Sequence, residues 1–306
     1  MPDAGYRASR PVAGAFVRAG RRPVRPDDVD LGGHVLRRAA KFEVTLTPTA
    51  ETLLAPVADE PRQWLLGRAL DDFVADIGAL DEVAPRMVPG VTRPKIDTAV
   101  DEATPTVADG TLLVSGQEVM QTWERPLMLA LARAATRPGG SVCEVGFGLG
   151  ISAGFVQELR PATHTIIEAN ADVAGTARAW AGADGRRGVE IVPGRWQDAL
   201  PGLGRFDGIL FDTYPLDEHE VDDYVVRDAT FAEHFFPHAA AHLTDDGSFT
   251  YYSNEIDSLS RRHQRALLKH FETFSVRVVD GLRPPADCSY WWAPSMAVVV
   301  ASGPRR

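Results

Sequence analysis

The chain has 306 residues, 44 % of them apolar and 24 % charged, which suits a soluble globular protein of one large domain or one medium and one small domain. A formal net charge of −10 argues against general nucleic-acid binding, which needs an excess of Lys and Arg, and no apolar run reaches the roughly 18 residues of a membrane span. Two cysteines, Cys143 and Cys288, cannot build a disulfide framework, so a reducing, cytoplasmic setting is expected.

Residues 1–30 carry Arg7, Arg10, Arg18, Arg21, Arg22 and Arg25. Pro11 to Val17 is short and broken by glycine, and Pro-Val-Arg-Pro-Asp-Asp follows Arg21-Arg22, so a signal peptide is not supported and the stretch reads as a mobile arm. Residues 31–115 read as a smaller, mainly helical segment with a lid. Within it, Lys41 to Thr47 alternates like a short half-buried strand. From Pro61, the residues Leu66, Leu70, Phe73, Ile77 and Leu80 recur at spacings of four and three, forming one apolar stripe. The stripe suits packing on the chain's own core or the contact of a homodimer. Between Ala84 and Gly110, prolines and acidic residues suggest a linker or lid, with Thr111 to Val114 as a short strand that seats it.

Over residues 116–306 helix and strand patterns alternate. A helix is expected from about Val119 to Ala135, then a strand at Ser141 to Val145 and further strands near 164–168, 188–192, 206–212, 247–253, 274–280 and 296–301. Longer helical patterns cover Arg227 to Leu243 and Leu259 to Phe271. The pattern predicts a Rossmann-like α/β domain, a mostly parallel sheet with helices on both faces. The last two strands are joined through Pro284-Pro285 without a helix, so they should form an antiparallel pair at the sheet edge, as in S-adenosylmethionine methyltransferases.

Strand Ser141 to Val145 runs into Gly146-Phe147-Gly148-Leu149-Gly150, where glycines permit a sharp strand-to-helix turn. Twenty-four residues after Glu144, a second apolar strand ends at Glu168, the position from which a carboxylate accepts hydrogen bonds from an adenosine ribose. A nicotinamide dinucleotide and S-adenosylmethionine both use this geometry. The dinucleotide motif needs a third glycine where this chain has Ile151 or Ala153, and an acidic residue opening the motif, Glu144, suits a positive sulfonium better than a pyrophosphate. Downstream, Phe206 to Phe211 delivers Asp212 to the carboxyl edge of the sheet, where ligands bind. Glu124, just before the glycine-turn strand, is a plausible partner for it.

The stretches Val119 to Pro126, Glu144 to Gly148, Phe206 to Pro215 and Pro284 to Cys288 resemble guanidinoacetate N-methyltransferases, and Gly194-Arg195-Trp196-Gln197-Asp198 resembles related arginine N-methyltransferases. The resemblance spans about residues 117–302. It implies a class I S-adenosylmethionine methyltransferase with a seven-stranded, mostly parallel sheet and an antiparallel edge hairpin. It also implies Asp212 as proton acceptor and Glu124 as the orienting carboxylate. The cofactor would be surrounded by Met120, Met128, Glu144, Gly146, Phe147, Gly148, Leu149, Glu168, Asn170, Arg195, Trp196 and Asp212, with Trp196 near the adenine. Met120 and Met128, eight apart, are expected on one helix. No metal site is implied.

A guanidinium has a pKa above about 12 and offers no free lone pair, so two carboxylates that hold its planar fork, one of them taking a proton, fit the chemistry. Glu124, Asp212, Tyr214, Ser253, Asn254 and Glu255 are the expected substrate residues. Creatine-forming members read Cys-Asn-Leu-Thr-Ser after a Thr-Tyr pair, whereas this chain reads Tyr252-Ser253-Asn254-Glu255-Ile256. A glutamate there would repel a lone carboxylate and could pair with an α-ammonium, which favours free L-arginine, as in streptozotocin biosynthesis. The alternatives are guanidinoacetate and protein arginine, or, in other classes, an NAD-dependent oxidoreductase or a non-catalytic ligand-binding module.

Overall fold

The computed structural model describes residues 95–306 apart from 184 and 227. The expected arm, the 41–47 strand and the 66–80 stripe lie outside the described residues. Pro94–Cys288 with Trp292–Arg306 forms one compact unit.

The unit opens with a small antiparallel meander of β1 (Thr106–Ala108), β2 (Thr111–Val114) and β3 (Gln117–Gln121). Its two turns, Asp109-Gly110 and Ser115-Gly116, have positive φ at both residues, the geometry that matches the twist of a two-residue hairpin. β3 lies where the sequence predicts the start of a helix. A 3-10 turn, Thr122–Glu124, follows, capped by the Glu124 carboxylate taking the Gln121 N–H at 2.7 Å, and the helix α1 (Arg125–Ala135) begins only after it, with Pro126 in its first turn. Met120 and Met128 therefore sit on different elements, not on one helix.

The main sheet holds β4 (Ser141–Val145), β5 (Thr163–Glu168), β6 (Val189–Pro193), β7 (Phe206–Phe211), β8 (Leu243–Tyr251), β9 (Phe271–Asp280) and β10 (Ser295–Pro304). Their order is β6-β5-β4-β7-β8-β10-β9. The first five in that order are parallel, and β10 runs antiparallel to both β8 and β9. The strands predicted between residues 141 and 301 are all present. Helices α2 (Ile151–Glu158), α3 (Ala171–Ala181), α4 (Trp196–Ala199), α5 (Phe236–His242) and α6 (Arg261–His270) complete the layers. The predicted 227–243 helix is shorter than expected: a 3-10 turn, Phe231–Phe235, precedes α5, whose second residue is Pro237. The Ser260 hydroxyl starts α6 by accepting the His263 N–H at 3.1 Å.

Alternation along β7 and β8 sends Ile209, Phe211, Phe249 and Tyr251 into an aromatic core with Phe235, Phe236 and Phe271. The opposite face carries α1. There a Cβ on Gly208 would lie 1.6 Å from the Ala135 carbonyl, and the Ser248 hydroxyl donates to Ala134 O at 2.8 Å. The carboxyl end of α1 is thus fastened to the early part of β7. Its 11 residues rise about 16 Å, comparable to the about 13 Å from Gly208 to Asp212. Glu124, at its amino end, acts on the Tyr252 phenol just past the carboxyl end of β8.

Candidate active site

The glycine turn leaves β4 at the point where strand order reverses, between β5 and β7. Gly146 has φ of 93°, and a Cβ there would lie 2.1 Å from Asp212 O. Gly148 has φ of 53°, and its Cβ would lie 2.8 Å from Met120 Sδ, which also faces the Leu149 N–H at 3.3 Å. These two glycines let the turn close against the chain's own Asp212 backbone and Met120 side chain. Phe147 is a core residue that meets Trp180 edge-on at 5.4 Å. Its N–H donates to Glu168 Oε2 at 2.8 Å, and the Asn170 N–H donates to Glu168 Oε1 at 2.8 Å. Burial raises the Glu168 pKa, and these N–H bonds offset part of that rise.

The other predicted cofactor residues divide. Glu144 is fully buried on the α2 side, where Ser152 Oγ donates to one oxygen and His164 Nε2 to the other at 2.8 Å. Gln157 Nε2 donates to His164 Nδ1 at 3.3 Å, which fixes the imidazole tautomer. Met128 is completely buried on α1. The Asn170 side chain caps α3 through the Asp172 and Val173 N–H groups and donates to Val100 O at 2.8 Å and Ala103 O at 2.7 Å. Arg195 Nε donates to Asp101 Oδ2 at 2.6 Å, which holds its guanidinium charged. Trp196 packs into the aromatic core, 4.9 Å from both Phe235 and His238. Asn170 and Arg195 thus bind residues 100–103 across this edge.

The two predicted acids are both shielded, and the Tyr252 phenol lies within the field of each. Asp212 follows β7 on the α1 face, its N–H donating to Val145 O at 3.0 Å. Its Oδ2 is shielded from solvent and has no hydrogen-bond partner among the described residues. Burial first, and then repulsion from Glu144, raise its pKa to about 7. Glu124 is 2 % exposed at the head of α1. Tyr252, which sequence reasoning passed over, lies within the fields of both: burial first, then Glu124 and Asp212, push its phenol well above the ordinary value. The signal that could have found Tyr252 is its parity with Asp212, since each stands one residue past an aromatic core strand end.

The remaining predicted substrate residues are more dispersed in role. Tyr214 OH donates to Gln117 Oε1 at 3.0 Å. Ser253 is buried, and its hydroxyl donates to Ala297 O at 2.6 Å while accepting the Glu255 N–H at 3.2 Å. Asn254 is exposed with φ of 56°. Glu255 is 5 % exposed, and its Oε1 lies 3.5 Å from His263 Nδ1, whose Nε2 takes the Tyr251 hydroxyl at 2.5 Å. The loop is anchored into the core by Ser253 and Glu255, and hydrogen-bond demand from Ala297 and His263 accounts for both.

A parallel sheet of this order, with one strand reversed at β10, is the fold of a class I S-adenosylmethionine-dependent methyltransferase, and its cofactor is S-adenosylmethionine. The residues present fit that group: the buried carboxylates of Glu168 and Asp212 follow the strands on either side of β4, which leads into the glycine turn, and negative charge there suits a positive sulfonium. Residues 94–301 match the guanidinoacetate N-methyltransferase family, and the chain belongs to that family. Protein arginine N-methyltransferase 2 of Yarrowia lipolytica is 32 % identical over 170 residues, covering 52 % of this chain and 33 % of that protein. Its counterpart in Emericella nidulans is 35 % identical over 136 residues, covering 44 % and 30 %. The matched part spans about a third of these relatives' length. Among solved structures, Thermotoga maritima spermidine synthase aligns with a TM-score of 0.44 at 16 % identity, over 65 % of this chain and 72 % of that one. The ribosomal protein L11 methylase of Lactobacillus delbrueckii subsp. bulgaricus aligns with a TM-score of 0.40 at 19 % identity, over 58 % and 76 %. No helix of the described residues is long and apolar enough to cross a membrane.

Proposed function

We propose that the protein transfers a methyl group to the guanidino nitrogen of free L-arginine, giving Nω-methyl-L-arginine in specialised metabolism. The observation that carries the guanidino part is Asp212 Oδ2, a shielded carboxylate oxygen with no partner among the described residues, in a carboxylate whose field, with that of Glu124, reaches the Tyr252 phenol. A buried carboxylate left unpaired is costly, and a donor-rich planar cation removes that cost.

In this reading Glu124 and Asp212 hold the guanidinium fork and set one nitrogen in line with the donor, so much of the acceleration comes from positioning. S-adenosylmethionine supplies the electrophilic methyl group, and Glu168 holds its ribose. As the nitrogen attacks, its proton passes to Asp212 Oδ2, which must be ionised to receive it. The negative charge of the pair also offsets repulsion between the two cations.

The acidic setting favours L-arginine, which carries an ammonium besides its guanidinium, over guanidinoacetate, whose lone carboxylate meets no free Ser253 hydroxyl. Direct binding of an α-ammonium by Glu255 is not part of the proposal, because His263 occupies one side of that carboxylate. The named function of the fungal relatives supports a second reading, methylation of protein arginine. Mass spectrometry after incubation with S-adenosylmethionine and equal amounts of L-arginine, guanidinoacetate and an arginine-rich peptide separates them. Methylarginine is the expected dominant product; creatine or methylated peptide as the main product overturns the arginine assignment. A homodimer is proposed from the 66–80 stripe and is read directly by light scattering.

A further inference from the structure

The β7–β8 ladder pairs Leu210 with Thr250 and Phe211 with Tyr251, and the Tyr252 N–H donates to Phe211 O at 3.2 Å. Asp212 and Tyr252 are therefore the next residues on two adjacent parallel strands. Phe211 and Tyr251 face the aromatic core, so strand alternation directs their successors to the opposite, α1 face, and Tyr252 lies within the fields of Glu124 and Asp212. Both successors end in an unsatisfied atom. Asp212 Oδ2 and Tyr252 Oη are each shielded from solvent, and neither has a hydrogen-bond partner among the described residues. Buried polar atoms are nearly always paired, so two partnerless ones on neighbouring strand ends mark a place shaped for a polar ligand.

The ligand's own inventory says what Tyr252 can add. A monosubstituted guanidinium presents five N–H donors, and two forked carboxylates accept at most four of them. The fifth needs another acceptor. A third carboxylate would hold the cation's protons more tightly and oppose their loss during attack. A phenol that stays protonated is a neutral acceptor, and burial first, then the neighbouring acids, keep Tyr252 in that form.

We propose that Tyr252 is a third guanidino-binding residue, whose phenolic oxygen accepts the N–H that Glu124 and Asp212 leave over. This rests on the guanidino reading above and deepens it, because it makes the site selective for a donor count that only a guanidinium meets. An amidine or an ammonium of the same charge has fewer donors and leaves Tyr252 Oη unpaired.

The test is Tyr252→Phe, which keeps the ring and removes only the hydroxyl. Steady-state kinetics are measured with L-arginine and with guanidinoacetate, S-adenosylmethionine affinity by calorimetry, and melting temperature by circular dichroism. The expected result is a five- to tenfold rise in KM for the guanidino compound that the wild type methylates. Cofactor affinity should stay unchanged. The melting temperature should be equal to or above that of the wild type, because an unpaired buried hydroxyl has been removed. An unmoved KM overturns the inference, as does a raised KM accompanied by a lower melting temperature, which is what a merely structural hydroxyl would give. Wild-type turnover together with an unmoved Tyr252→Phe KM sinks this inference alone; a wild type that methylates neither compound nor an arginine peptide removes the guanidino reading as well.

Discussion

Asp212 combines a position at the carboxyl edge of the sheet with an oxygen closed off from water, and burial places its pKa at about 7, where small changes in pH switch it. A proton acceptor must be ionised, so kcat/KM is expected to rise with pH through about 7 and level off above it. Asp212→Asn should lower kcat by about 10²–10⁴-fold, the usual range for a lost general base; a variant within threefold of wild type would remove Asp212 from the chemistry. The same residue makes a stability prediction of definite sign. Its folded pKa lies above the ordinary carboxylate value of 3.8, so the folded state binds the extra proton between pH 4 and pH 7. Stability from this group is therefore greatest at low pH and is lost as pH rises to 7. The melting temperature of Asp212→Asn relative to wild type should climb across that window and then stay flat. A difference independent of pH would mean that Asp212 is not held protonated.

At the scale of elements, the glycine turn is fixed by close approach, and two glycines on either side of that condition behave oppositely. Gly146→Ala would place a Cβ 2.1 Å from Asp212 O at a φ of 93°, so it should lower the melting temperature and displace Asp212. Gly154 lies inside α2 with nothing within 4 Å of its Cβ position, and Gly154→Ala should raise stability by about 0.5–1 kcal/mol. Thermal melts of the two variants check both signs. The strands and the glycine turn were legible in the sequence because buried parallel strands read as short apolar runs ending in glycine or a carboxylate. The helix beginnings were less legible. Val119 to Ala135 and Arg227 to Leu243 both keep an apolar period through their first residues, but Pro126 and Pro237 sit in first turns, so the chain ahead of each is a strand or a 3-10 turn. Proline position was the available signal. Glu255 illustrates a different gap: its charge was visible, but that its carboxylate would face His263 depends on α6 folding back across the sheet.

Across the whole described unit, residues 96–103 bind several parts of the carboxyl edge together. The Val100 N–H donates to Leu216 O at 2.9 Å, the Ile96 N–H to Glu218 Oε1 at 2.7 Å, and Asn170 and Arg195 hold Val100, Asp101 and Ala103. The composition of the proline-rich 84–110 stretch that contains them suggested a lid, and these hydrogen bonds could not be read from it because their partners are far away in sequence. Asn170→Ala deletes the two hydrogen bonds that the Asn170 side chain donates to this segment and leaves the Arg195–Asp101 bond. Hydrogen exchange at the Val100 amide should become at least tenfold faster in that variant, while the central strands stay protected; unchanged exchange would show that the segment is held by its other bonds alone. The sheet as a whole, including the antiparallel β9–β10 pair, was legible, since one missing helix between two strand patterns determines the reversal.

The central claim is that Glu124 and Asp212 act on one cation. Its most direct measurement is a double-mutant cycle of Glu124→Gln and Asp212→Asn, read as the affinity for L-arginine by calorimetry on protein loaded with S-adenosylhomocysteine. If both carboxylates hold the same guanidinium, the double variant should bind about tenfold differently from the product of the two single losses. Strictly additive losses, or no loss in either single variant, would contradict a shared guanidinium.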